Sequence, residues 1–205
     1  MSATNRSDVR IPSDFYPTPA WCVRRLLEAV KLPGGHWFDP GIGDGAIVKA
    51  VNDVRQDVEW FGMDIRPEVE PLIITTGAHF MCEDFLELIF DRDAPKFDVV
   101  LTNPPYSLAQ AFIEKSLQVA NVVAMLLRLN YLAGGKRVDF MRAMPPDVYV
   151  LPNRPSFTGQ GTDATEYAWF VWRPIAGRSC GNLRVLPATP KSERCSSGEP
   201  DGEVA

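Results

Sequence analysis

Asn103-Pro104-Pro105-Tyr106 directly follows the apolar run 97–102, and its residue types suit the recognition of a planar amine. A strand that stops on two prolines leaves backbone carbonyls with no following N–H groups to pair them. Asn103 adds a side-chain carbonyl and Tyr106 an aromatic face, so hydrogen-bond acceptors lie beside a stacking ring. That combination fits a nucleobase or a primary amide presenting an NH2 group. Standing alone, the same four residues also describe a proline-rich turn from strand to helix with an Asn cap.

A second constellation lies upstream. Phe38-Asp39-Pro40-Gly41-Ile42-Gly43-Asp44-Gly45 leaves an apolar strand and enters a helical stretch. Alternating glycines let the backbone turn sharply and let a ligand approach closely at a helix N-terminus. The spacing is Gly-x-Gly-x-Gly, not the Gly-x-Gly-x-x-Gly of dinucleotide binders. Asp39 and Asp44 would repel a pyrophosphate and suit an ammonium group, which favours a zwitterionic nucleoside such as S-adenosylmethionine over NAD. Asp64 closes the next strand, where a carboxylate commonly accepts from two ribose hydroxyls; a helix cap before Pro67 is the plainer alternative. Glu83-Asp84-Phe85 follows the third strand. There Asp84 could accept from an adenine amino group with Phe85 against the ring, or the pair could be a capping acid and a core aromatic.

These residues need a scaffold, and the hydrophobic periodicity supplies one. Helical spacing of Trp21, Val23, Leu26, Leu27 and Val30 predicts a helix over 20–31, ended by Pro33-Gly34-Gly35. Strands are expected at 36–39, 58–64, 78–82, 97–102 and 122–127, with helices at 46–55, from Pro67, and at 108–120. This alternation predicts an α/β fold with a parallel sheet and helices on both faces. Residues 136–144 read as a helix, and 147–151 and 166–172 as two late strands without a helix between them. The late pair suggests an antiparallel hairpin on the sheet edge. The stretch 152–165 is expected to be a long loop, 1–14 a flexible arm, 15–175 one catalytic domain, and 176–205 a mostly disordered tail.

Composition sets outer limits. The 205 residues are 45% apolar, enough for one sizeable core. No run of 18 apolar residues occurs, and 1–10 lacks the apolar core of a secretion signal, so a membrane partner is not expected and a cytoplasmic setting is. Cys22, Cys82, Cys180 and Cys195 are scattered, and only His36 and His79 accompany them, so no metal site is expected. The net charge of −5 hides an asymmetry: residues 1–127 hold 11 Lys/Arg against 18 Asp/Glu, and 128–205 hold 10 against 8. A polyanion would therefore meet the second half, where Arg128, Lys136, Arg137, Arg142 and Arg154 lie.

In this order the motifs resemble those of the class I S-adenosylmethionine-dependent methyltransferases, specifically the N6-adenine nucleic-acid methyltransferases. The match runs from about Phe15 to Trp172. The resemblance implies a Rossmann-like fold with a mostly parallel seven-stranded sheet and an antiparallel edge hairpin. It implies that Phe15-Tyr16-Pro17-Thr18-Pro19 contacts the methionine end of the cofactor, with Tyr16, Thr18 and Pro19 as binding residues. Asp39, Pro40, Gly41, Gly43 and Gly45 would form the glycine motif. Asp64 and Ile65 would face the ribose, and Asp84 and Phe85 the adenine. Asn103, Pro104, Pro105 and Tyr106 match the catalytic tetrapeptide, Asn103 also touching the cofactor. Arg154-Pro155-Ser156-Phe157-Thr158-Gly159 looks like a loop of short bacteriophage relatives; with Tyr106 as the ring that stacks on the base and Arg128 from the basic half, Arg128, Arg154, Phe157 and Tyr106 are the expected substrate contacts.

The resemblance thus implies methylation of adenine N6, with DNA as the first substrate expected and RNA as the second. Sequence-specific DNA methyltransferases of this motif order carry a target-recognition domain, for which this chain has little room. Relaxed or short-site specificity, a recognition subunit or a homodimer is the corresponding expectation. Methylation of a protein glutamine and a non-catalytic cofactor-binding module are the weaker alternatives. An NAD-dependent oxidoreductase fits least, because of the glycine spacing and Asp44.

Overall fold

A computed structural model describes residues 17–91, 93–157, 164–173 and 181–194. Helix α1 (Ala20–Ala29) buries Trp21, Cys22, Val23 and Leu26 on one face and ends where Val30 turns extended. There follow β1 (Gly35–Asp39), α2 (Ala46–Asn52), β2 (Val58–Asp64), α3 (Glu70–Ile74) and β3 (His79–Cys82). The second run is β4 (Phe97–Thr102), α4 (Ala109–Val119), β5 (Ala120–Arg128) and α5 (Val138–Ala143). The chain closes with β6 (Asp147–Val150), β7 (Tyr167–Trp172), β8 (Leu183–Val185) and α6 (Lys191–Arg194).

One sheet takes the order β3-β2-β1-β4-β5-β7-β6-β8. Strands β1 to β5 are mutually parallel, β7 is antiparallel to both β5 and β6, and β8 is parallel to β6. Two apolar layers cover the sheet. One holds α1 and α2 with Trp37, Trp60 and Trp169; the other holds α4 with Phe38, Phe85 and Phe170. The buried indoles also keep partners: Trp169 Nε1 donates to the Cys22 carbonyl at 2.8 Å and Trp172 Nε1 to that of Met144 at 2.9 Å.

Three expectations need correction. The sheet has eight strands, not seven. The β6–β7 hairpin is not the edge: β7 lies between β5 and β6, and all six of its residues are buried. The continuous apolar content of Tyr167-Ala168-Trp169-Phe170-Val171-Trp172 is what a strand covered on both faces requires. Finally, residues 181–194 of the expected tail are structured. Asp147 accepts from the N–H groups of Gly181 and Asn182 and from Asn182 Nδ2, which docks β8 beside β6. Leu186 and Thr189 are then buried, and Thr189 N–H donates to Asn153.

The strand order reverses between β1 and β4. In open α/β sheets the crevice beyond the carboxyl ends at such a point is where ligands bind. Asp39, Asp64 and Asn103 stand at the ends of β1, β2 and β4, around that crevice.

Candidate active site

A cleft of about 120 Å³, open to solvent, lies there. Thr18, Asp39, Pro40, Gly41, Gly43, Asp64, Ile65, Asp84, Phe85, Asn103 and Pro105 all line it. The structure therefore brings together most of the residues expected from sequence, out of five separate segments. Pro19 and Gly45 stand one residue outside the lining, as the residues leading into α1 and α2. Tyr16 lies outside the described residues.

The glycine loop is shaped by close approach. Gly45 has φ +74°, and a Cβ on it would sit 2.9 Å from Thr76 Cγ2. Gly62 in β2 leaves room for Ile42 of the loop, since a Cβ there would fall 2.1 Å from Ile42 Cδ1. This pairing folds the loop down on the sheet, with Ile42 N–H donating to the Met63 carbonyl at 3.0 Å. Asp44 Oδ1 accepts from Ala46 N–H at 3.1 Å and closes the turn into α2.

Asp39 is 1% exposed and accepts from Gly41 N–H at 3.2 Å. Burial pushes its carboxyl up to about 7, against the opposing pull of Thr102 and the Gly41 N–H; the negative charges of Asp64 and Asp44 add to the rise. A cation entering the cleft would relieve that penalty. Asp64 is fully engaged. Its Oδ2 accepts from Gly43 N–H at 3.0 Å and Arg66 Nη2 at 2.9 Å, and its Oδ1 from Arg66 N–H at 3.0 Å and Arg66 Nε at 2.8 Å. Nothing in the sequence singled out Arg66; an arginine two residues past a strand-end acid was its only signal.

The adenine-side residues divide. Asp84 is exposed and its Oδ1 caps the following turn through Leu86 N–H at 2.8 Å. Phe85 is 1% exposed and packs among Phe38, Phe90 and Phe112, so it is a core aromatic whose surface also walls the cleft. Ile65 is 62% exposed and offers an apolar lip. Leu108 and Phe112, not expected from sequence, complete the apolar wall from the start of α4.

At the end of β4, Asn103 Nδ2 donates to Thr18 Oγ1 at 3.1 Å. Pro104 is buried, and the Pro105 carbonyl accepts from Leu108 N–H at 2.9 Å in a short 3-10 turn over Tyr106–Leu108. Tyr106 stands just beyond the cleft lining. Its ring centre lies 5.8 Å from that of Tyr167, and the Arg128 guanidinium lies 4.9 Å over it. Arg128 Nε also donates to Tyr167 Oη at 3.4 Å. Phe157 is buried edge-on against Tyr167 at 5.1 Å, which makes it an anchor for its loop as well as part of this aromatic group. Thr158 and Gly159 lie outside the described residues.

Arg154 is drawn to Glu166, with Nε 3.1 Å from Oε1. That partner, 12 residues away and distant in the sequence pattern, was not expected; it holds the Glu166 carboxyl below its ordinary range. Among the described residues no group of three or more His, Cys, Asp or Glu side chains could hold a metal ion. No helix there is long and apolar enough to cross a membrane.

No protein-family model and no curated protein matches the chain. Solved structures do. A proposed class I S-adenosylmethionine-dependent methyltransferase of Listeria monocytogenes superposes with a TM-score of 0.57 at 12% identity, over 82% of this chain and 62% of that one. The 23S rRNA methyltransferase ErmE gives 0.57 at 16% identity, over 79% of this chain and 70% of its own. A modification subunit of a proposed type I restriction enzyme of Vibrio vulnificus gives 0.57 at 18%, over 86% of this chain and 47% of its own. The chain thus spans under two thirds of the first and third of these. Its fold is the Rossmann-like α/β fold of class I methyltransferases, extended by one edge strand.

Proposed function

We propose that the protein transfers a methyl group from S-adenosylmethionine to the exocyclic N6 amino group of adenine in DNA, at short sites or with relaxed sequence preference. The observation that carries this reading is the place of Asn103, in the cleft wall at the end of β4, with its amide tied to Thr18 and Tyr106 just beyond. The cleft residues fit the cofactor chemically. Buried Asp39 suits an ammonium group, Asp64 offers acceptors to a ribose once Arg66 yields, and Ile65 and Phe85 give an apolar edge for a purine.

When bound, the cofactor supplies an electrophilic methyl on a sulfonium that leaves as a neutral thioether. The chain's part is to prepare the amine. The N6 lone pair is delocalised into the adenine ring and is a poor nucleophile. Asn103 Oδ1 and the Pro104 carbonyl would each accept one N6 hydrogen, drawing the nitrogen toward tetrahedral geometry and freeing its lone pair. No strong base is needed, because the alkylated amine sheds a proton readily to water. Tyr106 supplies a stacking face worth about 1–3 kcal/mol for a base, which a duplex must first release by flipping. Arg128 lies over that ring, so an incoming base either displaces the guanidinium or stacks beneath it.

RNA is the second reading. The fold overlaps a larger share of the 23S rRNA methyltransferase than of the restriction-enzyme subunit, and single-stranded RNA presents its bases already exposed. A recognition subunit or a second copy of the chain would be the source of any longer sequence preference. The test is incubation with labelled cofactor and separate pools of duplex DNA, single-stranded DNA and RNA, followed by mass spectrometry of the digested nucleosides. N6-methyldeoxyadenosine is the expected product. N6-methyladenosine from RNA alone transfers the reading to RNA, and no methylated nucleoside from any pool overturns it.

A further inference from the structure

Thr18 is 5% exposed, and its hydroxyl joins two segments 85 residues apart by accepting from Asn103 Nδ2. The hydroxyl sits on a stiff support. Pro17 and Pro19 flank it and restrict the backbone on both sides. Helix α1 follows at once, and its first turn is held by buried Trp21 and Cys22 and by the Trp169 indole on the Cys22 carbonyl.

A carboxamide has two unlike branches, an NH2 that only donates and an oxygen that only accepts. With Nδ2 tied to Thr18, Oδ1 occupies the opposite branch. That is the orientation an acceptor of amine hydrogens requires. Turned by half a rotation, Asn103 would present an NH2 to an incoming NH2, and the two would repel.

We propose that Thr18 is a positioning residue: its hydroxyl oxygen fixes the Asn103 amide with the acceptor branch directed to the substrate. The inference rests on the reading of this site as an amine methyltransferase, and it gives Thr18 a role in the chemistry beyond lining the cofactor cleft. The reaction geometry is then assembled jointly by the segment before α1 and the end of β4.

The test compares Thr18→Val, which keeps the shape and removes the acceptor, with Thr18→Ser, which keeps the hydroxyl. Turnover is measured at saturating cofactor on the nucleic acid the protein methylates, cofactor affinity by calorimetry, and the Asn103 side-chain amide protons by NMR. Thr18→Val is expected to lose about 30- to 100-fold in kcat, the scale of a misplaced polar group at a reacting centre. Cofactor affinity should stay within about threefold, and Thr18→Ser should recover most of the turnover. The protection of one Asn103 Nδ2 proton from exchange should vanish in Thr18→Val and persist in Thr18→Ser.

Parental kcat in Thr18→Val, or a defect confined to cofactor affinity, overturns the inference. The NMR readout needs no turnover. A protein that methylates no nucleic acid yet shows the protected amide overturns the methylation reading and keeps the Thr18–Asn103 coupling. An unprotected amide in the parent protein overturns the coupling itself.

Discussion

Arg66 grips Asp64 at two points, Nε on Oδ1 at 2.8 Å and Nη2 on Oδ2 at 2.9 Å, and with two backbone N–H groups it fills the carboxylate. A carboxylate has about four lone-pair sites, so a ribose diol cannot bind both oxygens until the guanidinium moves. Arg66 and Asp64 both line the cleft, and the Arg66 side chain is 18% exposed, close enough to water to swing out.

Cofactor binding should therefore be opposed by Arg66. Arg66→Met is expected to tighten S-adenosylmethionine binding by about 3- to 10-fold in calorimetry, on the scale of one partly exposed two-point ion pair. Asp64→Ala should weaken it, since the acceptors go. Weaker binding in Arg66→Met would mean that the guanidinium contacts the cofactor instead of competing with it.

Asp39 makes the protein less stable as the solution becomes more basic. Its carboxyl sits at about 7 in the folded chain against an ordinary value of 3.8, with burial the main cause. The folded state thus holds a proton that the unfolded state releases between those values. The resulting stabilisation is complete below pH 3.8 and is lost as the pH rises through about 7. A shift of this size corresponds to at most about 4 kcal/mol. Asp39→Asn should raise the Tm strongly at pH 8 and distinctly less at pH 5, where only the first part of the window between 3.8 and about 7 has been crossed. Thermal unfolding at both pH values reads the difference; equal shifts at both would remove the titration from the account.

The same group should couple cofactor binding to proton release. An ammonium beside Asp39 favours the ionised form, so binding near pH 6 expels a proton and strengthens as the pH rises toward 7. Calorimetry at pH 6 in two buffers of different ionisation enthalpy measures the proton count directly. Asp39→Asn should abolish the buffer dependence. A wild-type protein whose binding heat is independent of buffer would place the ammonium elsewhere.

The sheet and most of the cleft were legible in the sequence because both rest on local pattern. Short apolar runs alternating with helical spacing located β1 to β5, and Asn103-Pro104-Pro105-Tyr106 needed only its place after a strand. Features made by contact between distant segments were not legible. The edge strand β8 has all three side chains exposed, so it carries no alternation, and its docking depends on Asp147 gripping Asn182. The charge of Arg154 was visible in the sequence, and its pairing with Glu166 was not. Thr18 on Asn103 and Arg66 on Asp64 depend likewise on side-chain directions that a one-dimensional pattern does not encode.

Gly62 and Ile42 form the last such pair, and their fit can be tested by exchanging volume. A methyl on Gly62 would meet Ile42 Cδ1 at 2.1 Å and Cγ1 at 3.2 Å, so the loop side chain must give way. Ile42 is 3% exposed and its own N–H is held by the Met63 carbonyl, which leaves little freedom to retreat. Overpacking of this kind costs roughly 1–3 kcal/mol. Gly62→Ala should lower stability by that amount in urea unfolding and weaken cofactor binding, because the displaced loop carries Gly41 and Gly43. Adding Ile42→Val, which removes the Cδ1 methyl, should return part of both losses. A double variant whose effects simply add would show that the two side chains do not compete for one space, and that Gly62 is tolerated there for the strand alone.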